Sequence, residues 1–152
     1  MNHQEVFSEL VKKHFAYLPN DFGYSLVEDK YHHSSSACII AFQNKARYVK
    51  LVWELKDRMF YFAVYRVLSN GQPAPYDDHG TNQFYVFALA KHFEPHINVG
   101  SLTEMNYFNP ELRLLDEKIG TNAQLLKKYG EEILAGRQWF DWSKNKLIPE
   151  SE

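Results

Sequence analysis

At 152 residues the chain is the size of one ordinary domain, long enough to bury about two thirds of the surface its unfolded form exposes; one fold across residues 1–152 is expected. Hydrophobic residues at 45% and aromatics at 16% exclude disorder except at the ends, and a single cysteine, Cys38, excludes an intramolecular disulfide. Seventeen basic residues against nineteen acidic, mixed along the chain to a net charge of -2, leave no basic block and disfavour nucleic acid as a partner.

Residues 1–10 carry neither a basic n-region nor an uninterrupted apolar stretch, so the expected setting is cytoplasmic. Apolar runs such as residues 59–65 fall far short of the roughly 20 residues that span a bilayer, and no membrane association is expected.

Residues 4–18 show helical spacing: Val6, Phe7, Leu10, Val11, Tyr17 and Leu18 fall on one side, and Glu5, Glu9, Lys12 and Lys13 on the other. Asn2 is a candidate cap with Glu5 reaching back, and Pro19, Asn20, Asp21 and Gly23 end the helix. Residues 24–68 then change to short β-branched and aromatic runs between polar punctuation, the pattern of strands. Four are expected, at residues 24–31, 37–43, 46–56 and 59–68. In the third, Val49, Leu51, Trp53 and Leu55 oppose Tyr48, Lys50, Val52 and Glu54. The fourth is apolar on both faces, which places it inside the sheet or under a helix. Hairpin connections at residues 43–45 and 56–58 make the arrangement an antiparallel meander.

Residues 69–80 are rich in turn formers and mark the change from sheet to helices. Residues 81–93 read as a buried helix, with a strand as the alternative. After an irregular region, Asn109 and Pro110 are placed to start a helix that runs to about Ile119 and breaks at Gly120. Thr121 and Gln124 then form a capping box for a last helix with Leu125, Leu126, Tyr129, Ile133 and Leu134 on its apolar face, stopped by Gly136. Gly130 within that apolar stripe suggests a closely approaching backbone. The fold expected is thus α+β: an N-terminal helix, a four-stranded antiparallel sheet, then two to three helices packed on one face, with residues 143–152 a disordered tail.

The sequence carries no catalytic signature. His92 and His96 flank Glu94 at the spacing of a two-histidine zinc helix, but Pro95 disfavours helical geometry there and no third ligand is near, so no metal site is expected. Asp77, Asp78 and His79 sit among turn formers and read as an Asx-type turn. His32 and His33, before three serines, have no evident acidic partner, and Cys38 beside Ile39 and Ile40 reads as a small buried hydrophobe. His14, on the apolar stripe of the first helix, is expected to be a satisfied core or edge group. Lys45, Arg47, Tyr48, Lys50 and Trp53 interleave cations and aromatics as single-strand platforms do, but they divide between the two faces of one strand. No glycine-rich phosphate loop or nucleophile elbow is present, so no cofactor is implied.

The run from Asn122 to Phe140, with its Leu125, Leu126 and Tyr129 helix, resembles the C-terminal helix of small bacterial proteins, some grouped with immunity proteins of polymorphic toxin systems. The opening helix, the turn Asp21, Phe22, Gly23, Tyr24 and the strands after it are similar in order. The resemblance implies a non-enzymatic protein-binding role, occluding a partner toxin, and supplies no active residues. Tyr107, Phe108, Trp139, Phe140 and Trp142, in irregular or terminal segments, are the candidate partner-binding residues, although packing of the tail is the competing use of Trp139 and Trp142. The alternative function is a small-molecule binder or small enzyme with a pocket between sheet and helices.

Overall fold

The computed structural model describes residues 2–105 and 111–150. The first helix, α1 (His3–His14), starts where Asn2 accepts a hydrogen bond from the Glu5 backbone N–H at 2.9 Å and donates its amide to the Glu5 carboxylate at 3.1 Å. It does not run on to residue 18. The chain breaks at Phe15 and re-forms as α2 (Tyr17–Phe22), a turn that lets Phe15, Tyr17 and Leu18 all enter the core. Pro19 is tolerated because it lies in the first turn, where its missing N–H is not needed. Gly23, in the left-handed region at φ 70°, closes α2.

Five strands follow, one more than the spacing predicts: β1 (Ser25–His32), β2 (Ala37–Gln43), β3 (Arg47–Glu54), β4 (Met59–Arg66) and β5 (Gln83–Tyr85). They pair antiparallel in sequence order, as a meander. The fifth strand takes the start of the segment read as a helix, and only from Val86 does the chain become α3 (Val86–Phe93). Phe84 is fully buried and pairs with Val64, so three residues of strand bring it into the core before the helix starts.

Beyond α3 come a short α4 (Val99–Thr103) and a long α5 (Leu112–Leu134). The cap and first-turn proline expected at Asn109 and Pro110 lie outside the described residues; α5 starts after Glu111. Gly120 does not break it. Thr121 turns inward on its own helix, donating to the Glu117 carbonyl at 2.8 Å, and so caps nothing. Asn122, buried, bonds the carbonyls of Leu102 and Lys118 and ties α4 to α5. Gly130 meets the Leu89 side chain of α3 and Leu126 of its own helix, not a neighbouring backbone as expected. Residues from 138 on form a hairpin, β6 (Gln138–Asp141) and β7 (Lys146–Pro149), joined by a 3-10 turn at Trp142–Lys144, where a disordered tail from residue 143 was expected.

Alternation along the strands sends Cys38, Ile40 and Phe42 of β2, Val49, Leu51 and Trp53 of β3, and Phe60, Phe62 and Val64 of β4 to one face. These residues form a single core with Phe7, Val11, Phe15, Leu89, Ile119, Leu126, Trp139 and Phe140 from the helices and hairpin. All the long helices therefore lie on one side of the sheet. Tyr17 of α2 and Tyr24, just before β1, are tied to α5 through hydroxyl bonds to the Ala123 and Leu134 carbonyls, at 2.8 and 2.9 Å. Among the described residues, no helix is long and apolar enough to cross a membrane.

Candidate functional site

The other side of the sheet has no such layer over it among the described residues, and it carries an unusual set of side chains. Strand pairing sets them in rows. Gln43, Tyr48, Tyr65 and Gln83 lie side by side; Glu28, Ala41, Lys50, Ala63 and Tyr85 form the next row. Lys30, Ile39, Val52 and Tyr61 make the third, and His32, Ala37, Glu54 and Met59 the last. Large and small residues thus sit next to one another, and the small ones leave a hollow of about 420 Å³. Ala37, Ile39, Val52 and Ala63 line it apolarly, Tyr61, Tyr65 and Tyr85 wall it, and Lys50 and Glu54 bring charge to it.

The tyrosines pair across strands, as aromatic neighbours on one face do: Tyr48 and Tyr65 with ring centroids 5.7 Å apart, Tyr61 and Tyr85 at 5.9 Å. Each is half-buried. Burial pushes the Tyr48 phenol up to about 12, with the Glu28 carboxylate adding to it, and burial with the neighbouring Tyr65 does the same for Tyr85. Tyr61 and Tyr65 move the same way, again mainly through burial. All four hydroxyls are therefore neutral donors at physiological pH.

The charges on this face divide unevenly. Glu28 is engaged by His32, 2.7 Å away, which supplies the acidic neighbour that the run of histidines and serines did not reveal. Burial, and then a hydrogen bond with Asp57, raise the Glu54 carboxyl above its ordinary range. Lys30 and Lys50 make no ion pair among the described residues. Lys30 is exposed, whereas Lys50 is half-buried between Ala41 and Ala63.

The residues singled out from sequence are placed differently. Tyr107 and Phe108 lie outside the described residues. Trp139 and Phe140 are fully buried against Phe84, at ring distances of 5.1 and 5.4 Å. The Trp139 indole N–H donates to the Thr81 carbonyl, and the Arg47 and Arg66 guanidinium groups sit 4.9 and 4.6 Å from its ring centroid. Both side chains are core in this fold and offer no surface to a partner. Trp142 remains half-buried, edge-on to Tyr85 at 5.4 Å and Phe87 at 5.9 Å, and so borders the sheet face at its β5 edge.

Arg47, at 4% exposure, serves structure. It donates to the carbonyls of Ile133, Ala46 and Gln138, and with Arg66 it holds Glu150, at 3.0 and 2.9 Å. The other candidates are structural too. The Cys38 thiol is fully buried and pushed up to about 12 by that burial, which leaves it inert. His92 contacts Asn145 at 3.1 Å, and among the described residues no three His, Cys, Asp or Glu side chains gather as a metal site. Asp77 forms the expected turn, accepting from the backbone N–H groups of His79, Thr81 and Asn82.

The tyrosine face was missed in the sequence because β4, apolar on both sides, reads as lying inside the sheet or under a helix. The available signal was a phenol at every second outward position of β4, at Tyr61 and Tyr65, opposite Val52 and Tyr48. The chain matches no protein-family model, no curated protein and no solved structure.

Proposed function

We propose that this chain is a non-enzymatic protein-binding module that docks its partner on the uncovered face of its sheet. The observation that carries this reading is the set of four half-buried, neutral tyrosines at Tyr48, Tyr61, Tyr65 and Tyr85, with charged residues around them and no helix over them among the described residues. Tyrosine supplies large contact area and a hydroxyl at little cost in side-chain entropy, and it is enriched among the residues that dominate binding energy. The resemblance in residues 122–140 narrows the partner to a toxin that an immunity-type protein would occlude.

The test compares the wild-type chain with a Tyr61→Ala/Tyr85→Ala variant as bait, with folding checked by circular dichroism. A partner held by the wild type should be weakened more than about tenfold in the variant. A partner held equally by both would place the interface elsewhere. If that partner is a toxin, co-expression should restore growth with the wild type and not with the variant.

The hollow itself favours a second reading, a small-molecule site, since its volume falls within the usual range for ligand pockets. It lies on the outside of the sheet, while Phe7, Phe15, Trp53, Phe60 and Phe62 fill the space between sheet and helices. Native mass spectrometry of the purified chain should then show a bound small molecule that the Ala63→Leu variant loses.

A further inference from the structure

From the half-buried Lys50 on this face, unpaired among the described residues, we infer that its occupant is an acidic segment of the partner protein, with a carboxylate seated over Ala63 against Lys50. This rests on the docking role proposed above for the same face. Neither Glu28, which lies against His32, nor Glu54 pairs with a lysine, and the two ammonium groups, Lys30 and Lys50, have no ion pair among the described residues. Exposed lysines are often unpaired, but Lys50 is half-buried in a row of small residues and opens into the hollow. A cation partly withdrawn from water and without a counter-charge gains more from an incoming carboxylate than a fully solvated one does.

The phenols point to the same class of occupant. Neutral tyrosine hydroxyls can donate to a carboxylate, and a hydrogen bond to a charged acceptor is stronger than one between neutral groups. Tyr65 and Tyr85 wall the hollow beside Lys50, so a lysine and two phenols line one opening. The ring faces and Val52 would take apolar side chains flanking the acid. A nucleic acid fits less well. Its phosphates call for a line of cations, and this face offers two lysines, in separate rows.

The test is a titration of the isotope-labelled full chain, followed by NMR, with a short synthetic peptide alternating glutamate and leucine. Its lysine and leucine counterpart, a single-stranded oligonucleotide and inorganic phosphate are titrated in parallel. The acidic peptide should shift the amides of Ala41, Lys50, Val52 and Ala63 saturably, weaken as salt is raised, and bind roughly tenfold less tightly to Lys50→Gln. The other three probes should leave those amides in place.

Binding of the basic peptide at this face, tighter binding of the oligonucleotide there, an effect reproduced by phosphate alone, no saturable shift, or a Lys50→Gln variant that binds as the wild type does would each overturn the inference. The two proposals fail separately. A natural partner that is lost on Tyr61→Ala/Tyr85→Ala but indifferent to Lys50→Gln keeps the docking face and removes its acidic occupant. A partner indifferent to both removes the docking face itself.

Discussion

Asp77 shows how a loop that resembles a metal ligand cluster is instead held by local bonding. Its two oxygens accept three backbone N–H groups and the Thr81 hydroxyl, at 2.8 to 3.1 Å. The Thr81 backbone N–H is the largest influence on its carboxyl, and together these bonds lower it from 3.8 to about 2. A carboxyl depressed in the folded state stabilises the fold fully above its ordinary range, and that contribution disappears as pH falls from about 4 through about 2. The Asp77→Asn variant should therefore lose less of its melting temperature than the wild type between pH 5 and pH 2, as followed by circular dichroism. Equal acid sensitivity in the two proteins would show that other groups govern this limb, Asp116 being one that also lies below its ordinary range, through His14 and then Lys13.

Among the elements, α5 carries the most informative difference from expectation. Glycine within a helix costs about 1 kcal/mol relative to alanine, which makes Gly120 look like a stop. Its place is explained by another element. A Cβ at residue 120 would lie 2.8 Å from Cε1 of His14, so the glycine provides the room for the α1 imidazole to reach Asp116 on α5. Two effects of opposite sign compete on substitution, helix propensity and the displaced ring. We expect Gly120→Ala to destabilise the wild type by roughly 0.5–2 kcal/mol and to stabilise a His14→Ala background. Urea denaturation of the four proteins of that cycle checks it, and the same sign in both backgrounds would remove the packing explanation.

The elements legible in the sequence were those whose period belongs to one partner. The meander of β1 to β4 shows in the alternation of Val49, Leu51 and Trp53, and the α1 cap in Asn2 and Glu5. The break at Phe15, the strand at residues 83–85 and the uninterrupted α5 each arise from contacts distant in sequence: Phe15 with Phe62, Phe84 with Trp139, and Gly120 with His14. Local pattern cannot register them.

At the scale of the whole molecule, the site was hidden for a related reason. Alternation separates the two faces of a sheet but does not reveal which face the helices will cover. Once α1, α3 and α5 lie over Trp53, Phe60 and Phe62, Tyr48, Tyr61, Tyr65 and Tyr85 are left on the outside. The same layering reverses the meaning of the C-terminal aromatics, because the β6 and β7 hairpin carries Trp139 and Phe140 into the core, and Glu150 fastens its end to Arg47 and Arg66. On the docking role proposed above, stability and binding fall to different aromatics. Trp139→Ala should cost about 3–5 kcal/mol, a large part of the 5–15 kcal/mol typical of a domain. Tyr61→Ala removes a ring from a half-buried surface and should cost roughly 1 kcal/mol. The two variants, compared by chemical denaturation and by partner binding, should rank in opposite order: Trp139→Ala the less stable, and Tyr61→Ala the weaker binder per folded molecule. If Tyr61→Ala unfolds as readily as Trp139→Ala, the outer face is part of what holds the sheet together, and the separation of the two faces into core and docking surface fails.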